Sequence, residues 1–256
     1  MSTTVQIRIA DTLFTLDWRF LTGKGDVQGT MTQKWADDVL LDEAYPALGM
    51  PVVQCIAGYL QAPESVLVLQ GPPGAGKTRL IRGILSQLSV RKQESALVLY
   101  TGDAGIWESD EVFVEFITGR HDAFVVEDAD LLPAPRADGN QTLHRFLNIA
   151  DGIVRAHGRK VIFSPNLPNV RDIDPALVRP GRCFARVFVR NLKALEMRRL
   201  VNRLCEGDAE RVAAVVDRLN RDGKKGWSVA EVSAAVRSID DRRESEEDRE
   251  IRADAA

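Results

Sequence analysis

Residues 71–78 read Gly-Pro-Pro-Gly-Ala-Gly-Lys-Thr and satisfy the pattern G-x-x-x-x-G-K-[ST] at every position. Gly71, Gly74 and Gly76 permit backbone angles closed to other residues, so successive N–H groups can converge on phosphate oxygens. Lys77 brings a positive charge to the β and γ phosphates, and Thr78 offers a hydroxyl to Mg²⁺. Such a loop requires a strand before it and a helix after it. Val66–Leu69 is apolar at every position, and Thr78–Leu88 has helical spacing, which aims the positive end of its dipole at the anion. Gly71, Pro72, Pro73, Gly74, Ala75, Gly76, Lys77 and Thr78 are therefore expected to hold a nucleotide. Gly23-Lys24-Gly25 with Gly29 fails the dinucleotide spacing, has no helix after it, and reads as a turn.

Four further apolar runs follow, at Ala96–Tyr100, Ala123–Val126, Val161–Phe163 and Val187–Val189. Runs apolar at every position, with helix-like segments between most of them, mark strands buried on both faces of a parallel sheet. The fold class is α/β: a P-loop NTPase sheet sandwiched by helices. Beyond Asn191 the strands stop, and Leu192–Leu204 and Val212–Leu219 carry helical periodicity, which predicts a small C-terminal helical lid. At the start of the chain Val5, Ile7 and Ile9 alternate with polar residues, as do Phe14, Leu16, Trp18 and Phe20 after Asp11-Thr12. This predicts a hairpin, too small to fold alone, that either scaffolds the core or extends it as an adaptor surface. Ile56, Ala57 and Leu60 have helical spacing before Pro63. The expected divisions are a hairpin extension over 1–30, a nucleotide-binding domain over 31–190, a lid over 191–240 and a charged tail over 241–256, disordered or partly helical.

Composition excludes other classes. With 45% hydrophobic and 28% charged residues in 256, the chain is neither disordered, collagenous nor coiled coil as a whole. The net charge of -3 argues against broad electrostatic capture of nucleic acid. Eight acids and four arginines from Asp240 onward place -4 in the tail, leaving the body essentially neutral. Cys55, Cys183 and Cys205 lie too far apart for a zinc ribbon or redox pair, which suits a reducing, cytoplasmic setting. Cys183, beside Arg182, reads as core filler, with an activated thiol as the alternative. His121, His144 and His157 share no ligand spacing and read as polar surface or capping residues. Neither a signal segment nor an apolar stretch of about 18 residues occurs, so secretion and membrane spanning are not expected. Asn140-Gln141-Thr142 matches a glycosylation acceptor but is set aside for the same reason.

The third apolar run ends in Glu127-Asp128-Ala129-Asp130. Carboxylates at the C-terminal end of a strand beside a phosphate loop are placed to hold the water shell of Mg²⁺ and to orient an attacking water.

Together these pieces resemble the AAA+ ATPases, and within them the AAA branch. The resemblance rests on GPPGAGKT, VVEDAD, VIFSPN ending in Asn166, and Asp174-Pro175-Ala176-Leu177-Val178-Arg179-Pro180-Gly181-Arg182, close to that branch's second region of homology. Phe146–Gly152 is similar to its "LLN-x-x-DG" stretch, and Gly226–Val232 to its "G-x-S-x-A-D-L" segment. The resemblance implies that Lys77 and Thr78 bind phosphate and metal, that Asn166 is sensor 1, and that Arg179 and Arg182 are arginine fingers reaching a neighbouring subunit's nucleotide. It implies ATP and Mg²⁺ as cofactors, a homo-oligomeric ring, hexameric in the family's manner, and remodelling of a protein client or macromolecular complex by ATP hydrolysis. Glu127-Asp128 inverts the usual order of acids, similar to the group containing the mitochondrial Rieske-protein translocase; Glu127 would hold hydrated Mg²⁺ and Asp128 would be the water-orienting base. Trp107, in Gly105–Asp110, falls where the family's pore loop keeps a glycine, and reads either as a substrate grip or as a residue packed at a subunit contact. Two other functions remain open at this point: a nucleic-acid-associated loader, and a nucleotide-gated assembly that hardly hydrolyses.

Overall fold

The computed structural model describes residues 16–21, 27–33, 40–102, 111–127, 158–167, 173, 175, 177–221 and 223–254. The chain divides into two compact units, one drawn from Met1–Leu40, Ala47–Pro72 and Lys77–Val189, the other from Leu41–Pro46, Pro73–Gly76 and Arg190–Ala256.

The first unit is built on a seven-stranded sheet of β1 (Leu16–Leu21), β2 (Val27–Gln33), β3 (Val66–Gln70), β4 (Ala96–Thr101), β5 (Ala123–Glu127), β6 (Lys160–Ser164) and β7 (Cys183–Phe188). Their order across the sheet is β2-β1-β4-β5-β6-β3-β7; all pair in parallel except β2, antiparallel at the edge. Every residue of β3 and β6 is buried, as the continuous apolar runs predict for strands covered on both faces. Edge strand β7 is half-exposed and starts four residues before its apolar run. The helices described in this unit are α1 (Val52–Gln61), α2 (Lys77–Lys92) and α3 (Glu111–Thr118). A Cβ on Gly83 of α2 would stand 2.2 Å from Leu40 Cδ1, so the helix packs there only because the residue has no side chain.

The N-terminal hairpin needs correction. β1 pairs with β2 from Leu16↔Gln33 to Leu21↔Val27, and on its other edge with β4 from Leu16↔Ala96 to Phe20↔Tyr100. Both edges of β1 are thereby taken, and the pair forms one edge of the main sheet rather than an appendage; Val5–Ile9 lies outside the described residues. The cause is burial: Leu16, Trp18 and Leu21 are 1%, 7% and 5% exposed, and an isolated two-stranded ribbon could not cover them. His121 is also corrected. It is buried, its Nε2 accepts a 3.3 Å hydrogen bond from Arg19, and burial lowers its pKa. Burial likewise pushes the Cys183 thiol up to about 11, which removes the activated-thiol alternative. His144 and His157 lie outside the described residues.

The second unit is helical, with α4 (Ala194–Leu204), α5 (Ala209–Asn220) and α6 (Val229–Asp254) around a core that includes Leu192, Leu200, Val201, Val215 and Val232. Each helix start is satisfied by side chains. Glu196 accepts from Lys193 N at 2.8 Å and takes a two-point ion pair from Arg190, which holds its carboxyl at about 2. The Asp208 carboxylate caps α5 through Glu210 N and Arg211 N. Ser228 and Glu231 form a reciprocal capping box at α6. The tail from 241, expected to be disordered or partly helical, continues α6 as far as Asp254. From Val229 to Asp254 there is no Gly or Pro, and Ala, Glu and Arg are strong helix formers.

Candidate nucleotide-binding site

The site gathers at the C-terminal ends of three neighbouring strands of the first unit, β3, β6 and β5. The loop leaves β3 at Gly71, whose φ is +152° and whose added Cβ would lie 1.9 Å from Val189 O. Only glycine fits against that backbone. Gly71→Ala is expected to lower the unfolding free energy by about 2 kcal/mol or more, measured by urea denaturation.

The loop ends at Lys77, the first residue of α2. Its buried ammonium donates to Gly71 O at 2.7 Å, Pro72 O at 3.1 Å and Asn166 Oδ1 at 2.9 Å. Asn166 stands two residues past the end of β6, so the strand end carries it to the lysine from 89 positions away. Thr78 Oγ1 donates to Glu127 Oε1 at 2.6 Å, and Tyr100 Oη donates to Glu127 Oε2 at 3.0 Å. Lys77, Thr78, Glu127 and Asn166, the last named only by the family resemblance, are thus brought together.

The arrangement fits a magnesium triphosphate. The N-terminus of α2 and the lysine charge face the loop, where phosphate would bind. The Thr78 hydroxyl and the Glu127 carboxylate make an oxygen-only pair suited to a hard cation.

The crown of the loop, Pro73–Gly76, belongs to the second unit. There Tyr45 Oη donates to Gly76 O at 3.1 Å and Ala230 N donates to Gly74 O at 3.0 Å. Gly74 and Gly76 have φ of +75° and +99°, and Cβ atoms on them would press on Ser228 and Tyr45 respectively. Ala75 is buried and Pro73 exposed. Tyr45 and Tyr100 were not legible in the sequence: one sits in a segment without clear periodicity, the other reads as the end of a strand.

Arg179 and Arg182 lie elsewhere. They form the turn before β7, where Arg182 O accepts from Val66 N at the start of β3. The loop begins at the other end of β3, a five-residue strand, so about 15 Å separates the turn from Gly71. Arg179 is exposed, whereas Arg182 is only 9% exposed. Neither is brought to the nucleotide loop of its own chain. Asp128, Trp107, Asp174 and Phe146–Gly152 lie outside the described residues.

A family model described as "ATPase family associated with various cellular activities (AAA)" matches residues 67–191. The chain is 36% identical over 145 residues to "26S proteasome regulatory subunit 10B" of Dictyostelium discoideum, covering 51% of this chain and 35% of that protein. It is 33% identical over 165 residues to "ATP-dependent zinc metalloprotease YME1 homolog" of Caenorhabditis elegans, covering 54% and 21%. To "Mitochondrial chaperone BCS1" of Bos taurus it is 25% identical over 157 residues, covering 57% and 36%. The match therefore spans no more than 36% of the length of these relatives. The family match runs from β3 to just past β7 and so encloses Lys77, Glu127 and Asn166; over these residues the chain carries an AAA ATPase domain.

Proposed function

We propose that this chain hydrolyses Mg-ATP within a homo-oligomeric ring, of six subunits, and uses turnover to remodel a protein or macromolecular complex. The observation that carries the reading is a separation. Lys77, Thr78, Glu127 and Asn166 converge at one end of the sheet, while the exposed Arg179 stands at the other. An arginine so placed serves phosphoryl transfer by reaching a neighbour's nucleotide, and a ring lets every site be completed in that way.

In this scheme the loop N–H groups and Lys77 bind the phosphates. Thr78 and Glu127 hold the metal, which when bound neutralises charge developing on the β and γ oxygens. Asp128 orients and deprotonates the attacking water, and Asn166, fixed by Lys77, senses the γ-phosphate. Arg179 and Arg182 are assigned to the adjoining site, with Arg179 the better exposed. No described helix is long and apolar enough to cross a membrane. The assignment to the cytoplasm rests on the widely spaced cysteines, which suit a reducing setting. The client is a protein assembly, a reading supported by the likeness to a proteasome regulatory subunit and a mitochondrial chaperone.

Asp128 is one methylene shorter than the glutamate usual at this position in the family, which favours slow turnover and keeps a nucleotide-gated switch as the second reading. Steady-state phosphate release from wild type, Lys77→Ala and Asp128→Asn decides between them. The hydrolase reading expects wild type to exceed both variants by about 100-fold or more. Equal background release from all three would leave the switch. Sedimentation with saturating magnesium nucleotide tests the ring; a persistent monomer would overturn it.

A further inference from the structure

We propose that Tyr100 is a positioning residue for the metal-side carboxylate, and that strand β1 serves the nucleotide site through it. This rests on the reading of Glu127 as the residue that holds Mg²⁺. A carboxylate needs both oxygens directed if it is to meet a hydrated cation in one orientation. Thr78 fixes Oε1 of Glu127 at 2.6 Å, and the Tyr100 hydroxyl fixes Oε2 at 3.0 Å. An ionised carboxylate can only accept, so the tyrosine is the donor and its proton stays on the phenol.

Strand register explains how Tyr100 arrives there. It pairs with Val125, and Glu127 lies two residues further along β5, on the same face of the sheet. That diagonal, about 7–8 Å between backbones, is one an aromatic side chain can span. On the other side Tyr100 pairs with Phe20 of β1. Its ring meets Phe20 at 5.5 Å and Trp18 at 5.8 Å, edge to face in both cases. Trp18 is 7% exposed and stacks on Phe20 at 6.4 Å, which leaves the tyrosine ring little room to turn. One face of three adjacent strands therefore carries a row from Trp18 and Phe20 through Tyr100 to Glu127. The β1–β2 edge, which on its own has no chemistry, becomes a support for the metal-holding group.

Partners that orient a metal ligand typically contribute about 10- to 100-fold in metal affinity. Tyr100→Phe removes the hydroxyl and keeps the ring with its contacts to Trp18 and Phe20. The readout is the Mg²⁺ concentration that half-maximally tightens binding of a fluorescent ATP analogue to the full chain, measured beside metal-free binding and thermal melting. The expected result is a rise of about 10-fold in that concentration, with metal-free binding and the melting temperature unchanged. Phe20→Leu, which loosens the ring but spares the hydroxyl, should shift it the same way by about three-fold. If wild type responds to Mg²⁺ and Tyr100→Phe responds identically, the inference is overturned while the assignment of Glu127 stands. A change confined to metal-free binding or to melting also overturns it, since that would show a purely structural role. If wild-type binding does not respond to Mg²⁺ at all, the metal-site reading falls first and this one with it.

Discussion

Arg179→Ala should reduce the turnover number by about 10³-fold or more while leaving the affinity for ATP near that of wild type, because an arginine supplied from a neighbour acts on charge that develops only in the transition state. The decisive form of the experiment mixes two inactive proteins. A Lys77→Ala subunit retains Arg179 and can complete a site on an Arg179→Ala subunit, which retains Lys77. Co-assembled mixtures should therefore regain activity that neither variant has alone. Mixed rings that stay inactive, with co-assembly confirmed by sedimentation, would show that Arg179 does not act across an interface. Arg182→Ala is the internal comparison. Its side chain is only 9% exposed, so its replacement is expected to lower the melting temperature as well as the turnover number, whereas Arg179→Ala lowers the turnover number alone.

Lys77→Ala should abolish detectable turnover and weaken ATP binding by about 10- to 100-fold, read by titration with a fluorescent analogue. The ammonium donates both to the loop, through Gly71 O and Pro72 O, and to Asn166 Oδ1. Its loss removes the charge that meets the phosphates and the donor that orients Asn166. Asn166→Ala separates these effects: it spares the charge, so binding should persist while turnover falls. A Lys77→Ala protein that binds and hydrolyses as wild type does would remove the loop from the mechanism altogether.

Much of the core was legible residue by residue. The buried runs at Val66, Ala96, Ala123 and Val161 each became a strand starting within one residue of the predicted position, because a strand covered on both faces must be apolar at every position. The helix after the loop and two helices beyond Asn191 appeared where the spacing put them. The N-terminal segment was less readable. Alternation at Leu16, Trp18 and Phe20 shows that one face of a strand is buried but says nothing of what lies beside it, and β1 found partners in β2 and in β4, about 80 residues away. At the other end charge composition left disorder and helix both open, and the acids and arginines there, as good helix formers, continue α6 to Asp254.

What the amino-acid order alone determined is whatever nearest neighbours along the chain can enforce: the glycine loop, the strand before it, the helix after it and the carboxylate closing β5. Only the tertiary structure decided that Tyr100 directs Glu127, that Tyr45 holds Gly76, and that Arg182 is covered while Arg179 is not. Periodicity and turn chemistry act over a few residues and leave a mark in the sequence. Contacts such as Thr78 with Glu127, 49 positions apart, depend on which strands lie side by side, and that order is set by how the whole sheet buries its apolar faces.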